Sequence, residues 1–505
     1  MARATIAASL SAVGGIARSL VIGAAILCLA AVTASAGFAS RQSQAHAARG
    51  AATYSTPGTA PLVTGLFDPS LFNNTHGATA FALSRSAGAT YVRIGISWSA
   101  IAPSSRPTGF DPRDPASPGY SWSGLDATLE EAADAHVIPI LDVNATPRWA
   151  YAKRPKSGSA GTPKAAALGD FAHALATRYD GSNGLPAEHV FQVWNEPNLS
   201  IDLGPVSARA YRGMVNAFAN AVHGVDSSNL VVAGALDPFG HPKGKKQKWY
   251  SVSPLAYMRS LLCVSKGSHP HATCHNAVHF DAWSHHPYTF GGPFGHATHA
   301  DDVELGDLPR MRAVLKAGVR LHHVVSAHPV KFWVTEFGWD SSPPRPHAAP
   351  MGLASRWTAE SLHQMWISGV SLVTWFDLQD RRSPSPYQSG LYFHSSSLEK
   401  ARPKPLRTAF RFPFVAYLGG STVSVWGRDA TSSKVRVTVQ LRHGKSGSWR
   451  TVAYIGANSH GIFRAKVRVH AKKTDWLRAV ALGSGKSLPF SLSVPHAPHI
   501  GPWGN

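Results

Sequence analysis

Val190-Phe191-Gln192-Val193-Trp194-Asn195-Glu196-Pro197-Asn198 runs from a short apolar stretch straight into an Asn-Glu-Pro turn. A stretch of that length and composition reads as a strand covered on both faces, with a carboxylate held at its end. The same form returns in Lys331-Phe332-Trp333-Val334-Thr335-Glu336-Phe337-Gly338. Working outward from these two, eight such runs can be drawn, at 62–67, 90–96, 137–143, 190–195, 230–236, 278–284, 331–336 and 371–377. They are near-continuously apolar rather than alternating, as parallel strands buried under helices are.

Helical periodicity fills the gaps. Tyr211, Met214, Val215, Phe218 and Val222 repeat at helical spacing, as do Leu362, Met365 and Trp366. Segments 127–135, 165–179, 311–322 and 354–367 suit helices as well. Eight strand–helix alternations predict an α/β fold, a (β/α)8 TIM barrel, over residues 61–415. No glycine-rich dinucleotide fingerprint follows the first strand, which argues against an open doubly wound sheet. After Val415 the pattern becomes short, mostly alternating strands at 421–426, 434–441, 451–455, 462–469 and 476–481. They predict a smaller all-β sandwich over 416–498, serving either as a stabilising cap on the barrel or as a glycan- or envelope-binding module. Gly483-Ser484-Gly485-Lys486-Ser487 lacks the first glycine of a phosphate-binding loop, where Val480 stands, and reads as a hairpin turn.

A chain of 505 residues has room for a barrel and a second module. Only 15% of residues are charged, yet the net charge is +21, a field that favours anionic glycans, envelope polymers or nucleic acid. No nucleic-acid motif accompanies it, so nucleic acid is not assigned as a partner. Arg3 and Arg18, the apolar run 20–32 and Ala34-Ser35-Ala36 form an export signal over 1–36, followed by a flexible linker over 37–60. The run is short for a membrane span; an uncleaved signal anchor is the alternative. The expected location is therefore secreted or associated with the cell envelope. Cys28 lies in the signal, which leaves Cys263 and Cys274 as the mature pair, expected to be disulfide-bonded outside the cytosol. A zinc site with His269, His271 and His275, or a reduced pair, are the other readings; the spacing fits no standard zinc pattern.

In a barrel the strand ends share one catalytic face, so Glu196 and Glu336 meet at one mouth although far apart in sequence. Paired carboxylates presented together are the machinery for cleaving a glycosidic bond, one donating a proton and the other attacking or stabilising the sugar carbon. No metal and no cofactor are assigned. The chain resembles the retaining glycoside hydrolases of clan A, family 39 most and family 5 next. The resemblance rests on Trp194-Asn195-Glu196-Pro197-Asn198 and on Arg93 in Tyr91-Val92-Arg93-Ile94, followed by Trp98 and Pro103. Thr146-Pro147-Arg148-Trp149-Ala150, His285-His286-Pro287-Tyr288 and Trp375 extend it. It implies that Glu196 is the acid/base and Glu336 the nucleophile of a retaining hydrolase acting on an oligo- or polysaccharide.

The same resemblance implies that Asn195 binds the sugar hydroxyl beside the reacting carbon. Arg93 and Tyr288 would hold Glu336 ionised, His286 would support the acid/base, and Trp375 would floor the sugar ring. Trp98, Trp149 and Trp339, close after strands two, three and seven, could stack on sugars or equally be packed loop residues. Lys243, Lys245, Lys246 and Lys248 follow strand five, as a solvated loop or as an attractor of an anionic polysaccharide. The rival to an enzyme is a non-catalytic carbohydrate- or envelope-binding protein on the same barrel.

Overall fold

The computed structural model describes residues 58, 60–73, 77–244, 247–431, 434–495 and 499–502. The expected export signal with Cys28, nearly all of the expected linker, and Lys245 and Lys246 lie outside the described residues. Among the described residues no helix is long and apolar enough to cross a membrane.

Eight parallel strands close into a barrel in sequence order: β1 (Val63–Phe67), β2 (Tyr91–Ser97), β3 (Ile138–Asn144), β4 (Val190–Val193), β5 (Leu230–Leu236), β6 (Ala282–His285), β7 (Lys331–Phe337) and β8 (Leu372–Phe376). β8 pairs back onto β1 from Val63↔Leu372 to Phe67↔Phe376. The strand expected at 278–284 divides in two. Val278–His279 pairs with Val324–Val325 outside the barrel, and only Ala282–His285 joins the ring. Asp281 makes the break: its carboxylate accepts the backbone N–H of Val231 and the hydroxyl of Ser326, and lies 2.9 Å from His223 Nε2.

Each strand is followed by a helix: α1 (Gly77–Ser86), α2 (Ser123–Asp134), α3 (Ala165–Arg178), α4 (Ala208–Val225), α5 (Pro254–Leu262), α6 (Leu308–Arg320), α7 (Met351–Ile367) and α8 (Pro405–Arg411). α4 shows why. Ser207 caps its start by accepting the N–H of Ala210, and the expected Tyr211, Met214, Val215, Phe218 and Val222 stripe is buried against the barrel. α5 begins on Pro254 and ends at Cys263, which has φ +54° and is disulfide-bonded to Cys274.

Alternation along the strands sorts their side chains. Ile140, Val190, Val232, Ala282, Trp333 and Leu372 form an apolar plug inside the barrel. One step of two residues toward the mouth, the same faces present Arg93, Asp142, Gln192, Ser284 and Thr335, all buried. The interior is therefore apolar at the bottom and polar at the top.

Beyond α8 the chain forms two antiparallel sheets. One joins β9 (Phe414–Gly419), β10 (Thr422–Arg428) and β13 (Ile462–Arg468). The other joins β11 (Arg436–Arg442), β12 (Arg450–Gly456), β14 (Trp476–Ala481), β15 (Gly485–Lys486) and β16 (Phe490–Ser491). β14 and β15 are the arms of the hairpin expected at Gly483-Ser484-Gly485, with Gly483 at φ +86° and Gly485 at φ +87°.

Candidate active site

The strand ends deliver Glu196 and Glu336 to one place by two local departures from strand geometry. Trp194 and Glu196 have φ of +72° and +37°, so the chain twists sharply as it leaves β4. The N–H of Glu196 then donates to the carbonyl of Ala235 on β5. In β7 the pairing with β8 slips between Val334 and Phe337, a bulge. It lets Thr335 and Glu336 both face the interior while Phe337 packs outside against Trp375.

His286 Nδ1 lies 2.9 Å from Glu196 Oε1 and 3.9 Å from Glu336 Oε2. Those two oxygens are therefore no more than about 7 Å apart, within reach of the spacing of retaining glycosidases and at the bottom of the inverting range. Burial and the charge of Arg93 hold His286 well below the ordinary imidazole range, so it is neutral. Its Nε2 is 3.2 Å from the Thr335 hydroxyl, which is 2.6 Å from that of Ser284.

The surroundings of the two carboxylates differ. Glu336 Oε2 accepts from Arg93 Nη1 at 2.9 Å and Oε1 accepts from the Tyr288 hydroxyl at 2.9 Å. Burial pushes Glu336 up, and this guanidinium and phenol pull it back. Glu196 is raised well above the usual carboxylate range by burial, then by the charges of Asp237, Asp202 and Glu336. Arg93 also pulls Glu196 down but bonds only to its neighbours. On balance both carboxyls are raised, Glu196 the further of the two.

Arg93 is the hub. Fully buried, it also donates through Nη2 to Asp142 at 2.7 Å and to Asn195 Oδ1 at 2.5 Å, with its guanidinium 4.3 Å from the centre of the Phe67 ring. Asn195 in turn donates to Asp202 at 3.0 Å. Glu196, Glu336, Asn195, Arg93, His286 and Tyr288 thus form one hydrogen-bonded cluster.

The tryptophans do not join it. Trp375 is fully buried, packs on Phe337 and Phe410 and donates to the Ser389 carbonyl, so it cannot floor a sugar ring. Strand phase is the reason: Leu372 faces the interior, hence Phe376 does and Trp375 does not. Trp98 is enclosed by Trp149 and Phe171, and Trp339 by Phe337 and Trp357 with its N–H on Ser361; neither can stack on a sugar. Trp149 is half-buried, its N–H on the Pro103 carbonyl.

Several residues come to the site that sequence reasoning missed. Asp142 and Thr335 follow from strand phase, since each stands two residues from a plug residue, Ile140 and Trp333. Asp202 and Asp237, raised by burial to about 6 and about 7, lie on loops after β4 and β5 and carry no local pattern. Phe376 sits between Phe67 and Tyr387, at 5.6 and 5.2 Å between ring centres, and makes the aromatic wall expected of Trp375. Tyr387, more than a third exposed, is raised by burial and by the charges of Glu336 and Glu196, which places it over the mouth.

Residues 52–296 match the family model described as cellulase (glycosyl hydrolase family 5). Over those 245 of its 505 residues the chain is similar to that family. The matched span holds β1 to β6 of the barrel, with Glu196, and stops before β7 and Glu336. Similar solved structures include a GH39 enzyme from Xanthomonas axonopodis pv. citri, at 14% identity over 85% of this chain and 94% of that one, TM-score 0.48. A monomeric beta-xylosidase from Caulobacter crescentus CB15 aligns at 14% identity over 84% and 96%, TM-score 0.47. Endoglucanase Cel5A from Thermotoga maritima aligns at 14% over 69% and 96%, TM-score 0.41. No curated protein matches the sequence.

Proposed function

We propose that the protein is an exported retaining O-glycosyl hydrolase of oligo- or polysaccharides, with Glu196 as acid/base and Glu336 as nucleophile. The observation that carries this is the asymmetry of two carboxylates sharing one histidine. Glu336 holds a guanidinium and a phenol that favour its anion, whereas Glu196 faces acids that favour its proton. In the first step a Glu336 oxygen bonds to the anomeric carbon as the glycosidic C–O bond breaks. Glu196 gives its proton to the departing oxygen.

Esterified Glu336 carries no charge, so one of the influences raising Glu196 disappears and Glu196 becomes a competent base. It then takes a proton from water, whose oxygen displaces Glu336 from the anomeric carbon. Asn195, fixed between Arg93 and Asp202, would meet the neighbouring hydroxyl, and Phe376 with Tyr387 would face the ring. Export rests on the amino-terminal signal pattern, and the basic charge supports an acidic or envelope-borne substrate.

Glu336→Ala should abolish hydrolysis of activated aryl glycosides, and azide should restore turnover as a glycosyl azide of inverted configuration. Glu196→Ala should cost about 10²–10⁴ in kcat, with azide giving a retained product. Undiminished hydrolysis by Glu336→Ala would overturn the assignment, and failure of a mechanism-based glycosyl label to attach at Glu336 would favour the binding-protein reading.

A further inference from the structure

Between Thr431 and Pro495 the chain carries twelve Lys and Arg and a single acid, Asp475. That acid is buried and engaged, accepting the backbone N–H of Lys472 at 2.8 Å and lying 3.0 Å from His443 Nδ1. Alternation in β11 and β14 turns Val437, Val439, Leu441, Leu477, Ala479 and Ala481 into the sandwich core. The opposite face therefore presents Arg436, Thr438, Gln440 and Arg442 from β11 beside Trp476, Arg478 and Val480 from β14. β12 adds Tyr454 opposite Thr438, and β15 adds Lys486 opposite Val480.

The cations on this face are held in place by aromatic rings. Arg442 and Arg478 both stack on Trp449, at 4.7 and 4.2 Å from the ring centre, and Arg436 stacks on Tyr454 at 4.3 Å. Arg478 is further fixed by donating to Gln440 at 2.9 Å. Among the described residues no carboxylate pairs with Arg436, Arg442 or Arg478, and burial, then the closeness of Arg442, disfavours the charged form of Arg478. A face meant only to keep the module soluble would not gather like charges and fix them, because ordering long side chains costs conformational entropy. Planar guanidinium groups so arranged match carboxylates through paired N–H donors.

We propose that the β11–β14 face of the sandwich is a docking surface for a uronate-bearing polysaccharide. The choice of a carbohydrate rests on the hydrolase reading of the barrel; the charge and the arrangement come from the sandwich itself. Single-stranded nucleic acid fits less well, because it needs open ring faces for its bases, and here guanidinium groups cover the rings of Trp449 and Tyr454.

The test uses the full chain carrying Glu336→Ala, so that binding is read without turnover. Its affinity for polygalacturonate, for a neutral polysaccharide of similar length and for single-stranded DNA is measured by affinity electrophoresis. Polygalacturonate should bind at least 10-fold more tightly than either competitor, and its affinity should fall at least 10-fold as NaCl rises from about 0.05 to 0.3 M. Arg442→Gln/Arg478→Gln should weaken it about 10-fold, and so should Arg436→Gln/Lys486→Gln, whose side chains lie further from the core. Both pairs, made in the active protein, should hydrolyse small aryl glycosides as before.

Equal affinity for the neutral polymer, affinity independent of salt, tighter binding of DNA, or unchanged affinity in both variants would each overturn the proposal. A protein that binds polygalacturonate as expected but hydrolyses no glycoside would overturn the hydrolase reading and leave the docking face standing.

Discussion

Asp237 sits on the loop after β5, with its N–H donating to Asn198 and its carboxylate accepting from Phe239, and its charge is the largest single influence after burial on Glu196. The sign of its effect is set. A neighbouring negative charge disfavours ionisation of Glu196, so removing it lowers the Glu196 pKa. Activity that needs protonated Glu196 is lost as pH rises through that pKa. Asp237→Asn should therefore move the basic limb of the kcat/KM profile to lower pH, and Asp202→Asn should do the same. An unmoved limb would mean that another group donates the proton. Arg93 supplies the opposite influence at Glu336, and its partners explain why it is buried whole: Asp142 and Glu336 both take its charge. Neither Asp202 nor Asp237 was legible in sequence, because a loop carboxylate announces nothing about what it will face.

At the scale of the element, strand phase decides which side chains can meet a sugar. Phe376 and Trp375 are neighbours on β8 with opposite fates. Phe376→Ala should weaken catalysis on glycosides with modest loss of stability. Trp375→Ala should cost about 3–5 kcal/mol of stability with KM little changed in the protein that remains folded. Urea unfolding and steady-state kinetics on both variants check this; a raised KM without destabilisation in Trp375→Ala would reverse the assignment. The eight barrel strands were legible because each is a short apolar run between helical patterns, and β5 matches its expected span residue for residue. The phase within them was readable too, from Ile140 to Asp142 or Leu372 to Phe376, and it selects Phe376 where the resemblance to clan A implies Trp375. The bulge in β7 was not readable. Nothing in Trp333-Val334-Thr335-Glu336-Phe337 shows that two consecutive residues will face inward.

Across the whole molecule, burial of acids gives stability a definite pH dependence. Burial raises Glu188 to about 8, and Asp237 and Glu360 to about 7, whereas in the unfolded chain they titrate near the ordinary value of about 4. As pH falls from 8 to 6.5 the folded protein binds protons that the unfolded chain does not, so stability rises across that window. His285 and His363, held down to about 4 by burial, act oppositely as unfolded imidazoles gain protons from about pH 7.5 downward, an effect smaller than that of the acids until below about pH 6.5. The expected result is a Tm higher by roughly 2 °C or more at pH 6.5 than at pH 8, flattening or turning over below. A steady decline across the same interval by scanning calorimetry would contradict it.

The bulge in β7 and the left-handed turn after β4 have a consequence for how such a protein can change. Arg93, Asp142 and Gln192 hold their places by the ordinary two-residue repeat, which survives almost any exchange of side chains that keeps the strands. Glu196 and Glu336 hold theirs through local irregularities of the backbone. Libraries that randomise side chains around the mouth therefore search new specificities on a fixed reactive frame. Libraries that add or delete a single residue in β7 search mostly inactive barrels, because Glu336, the proposed nucleophile, is positioned by a count of residues as much as by its chemistry.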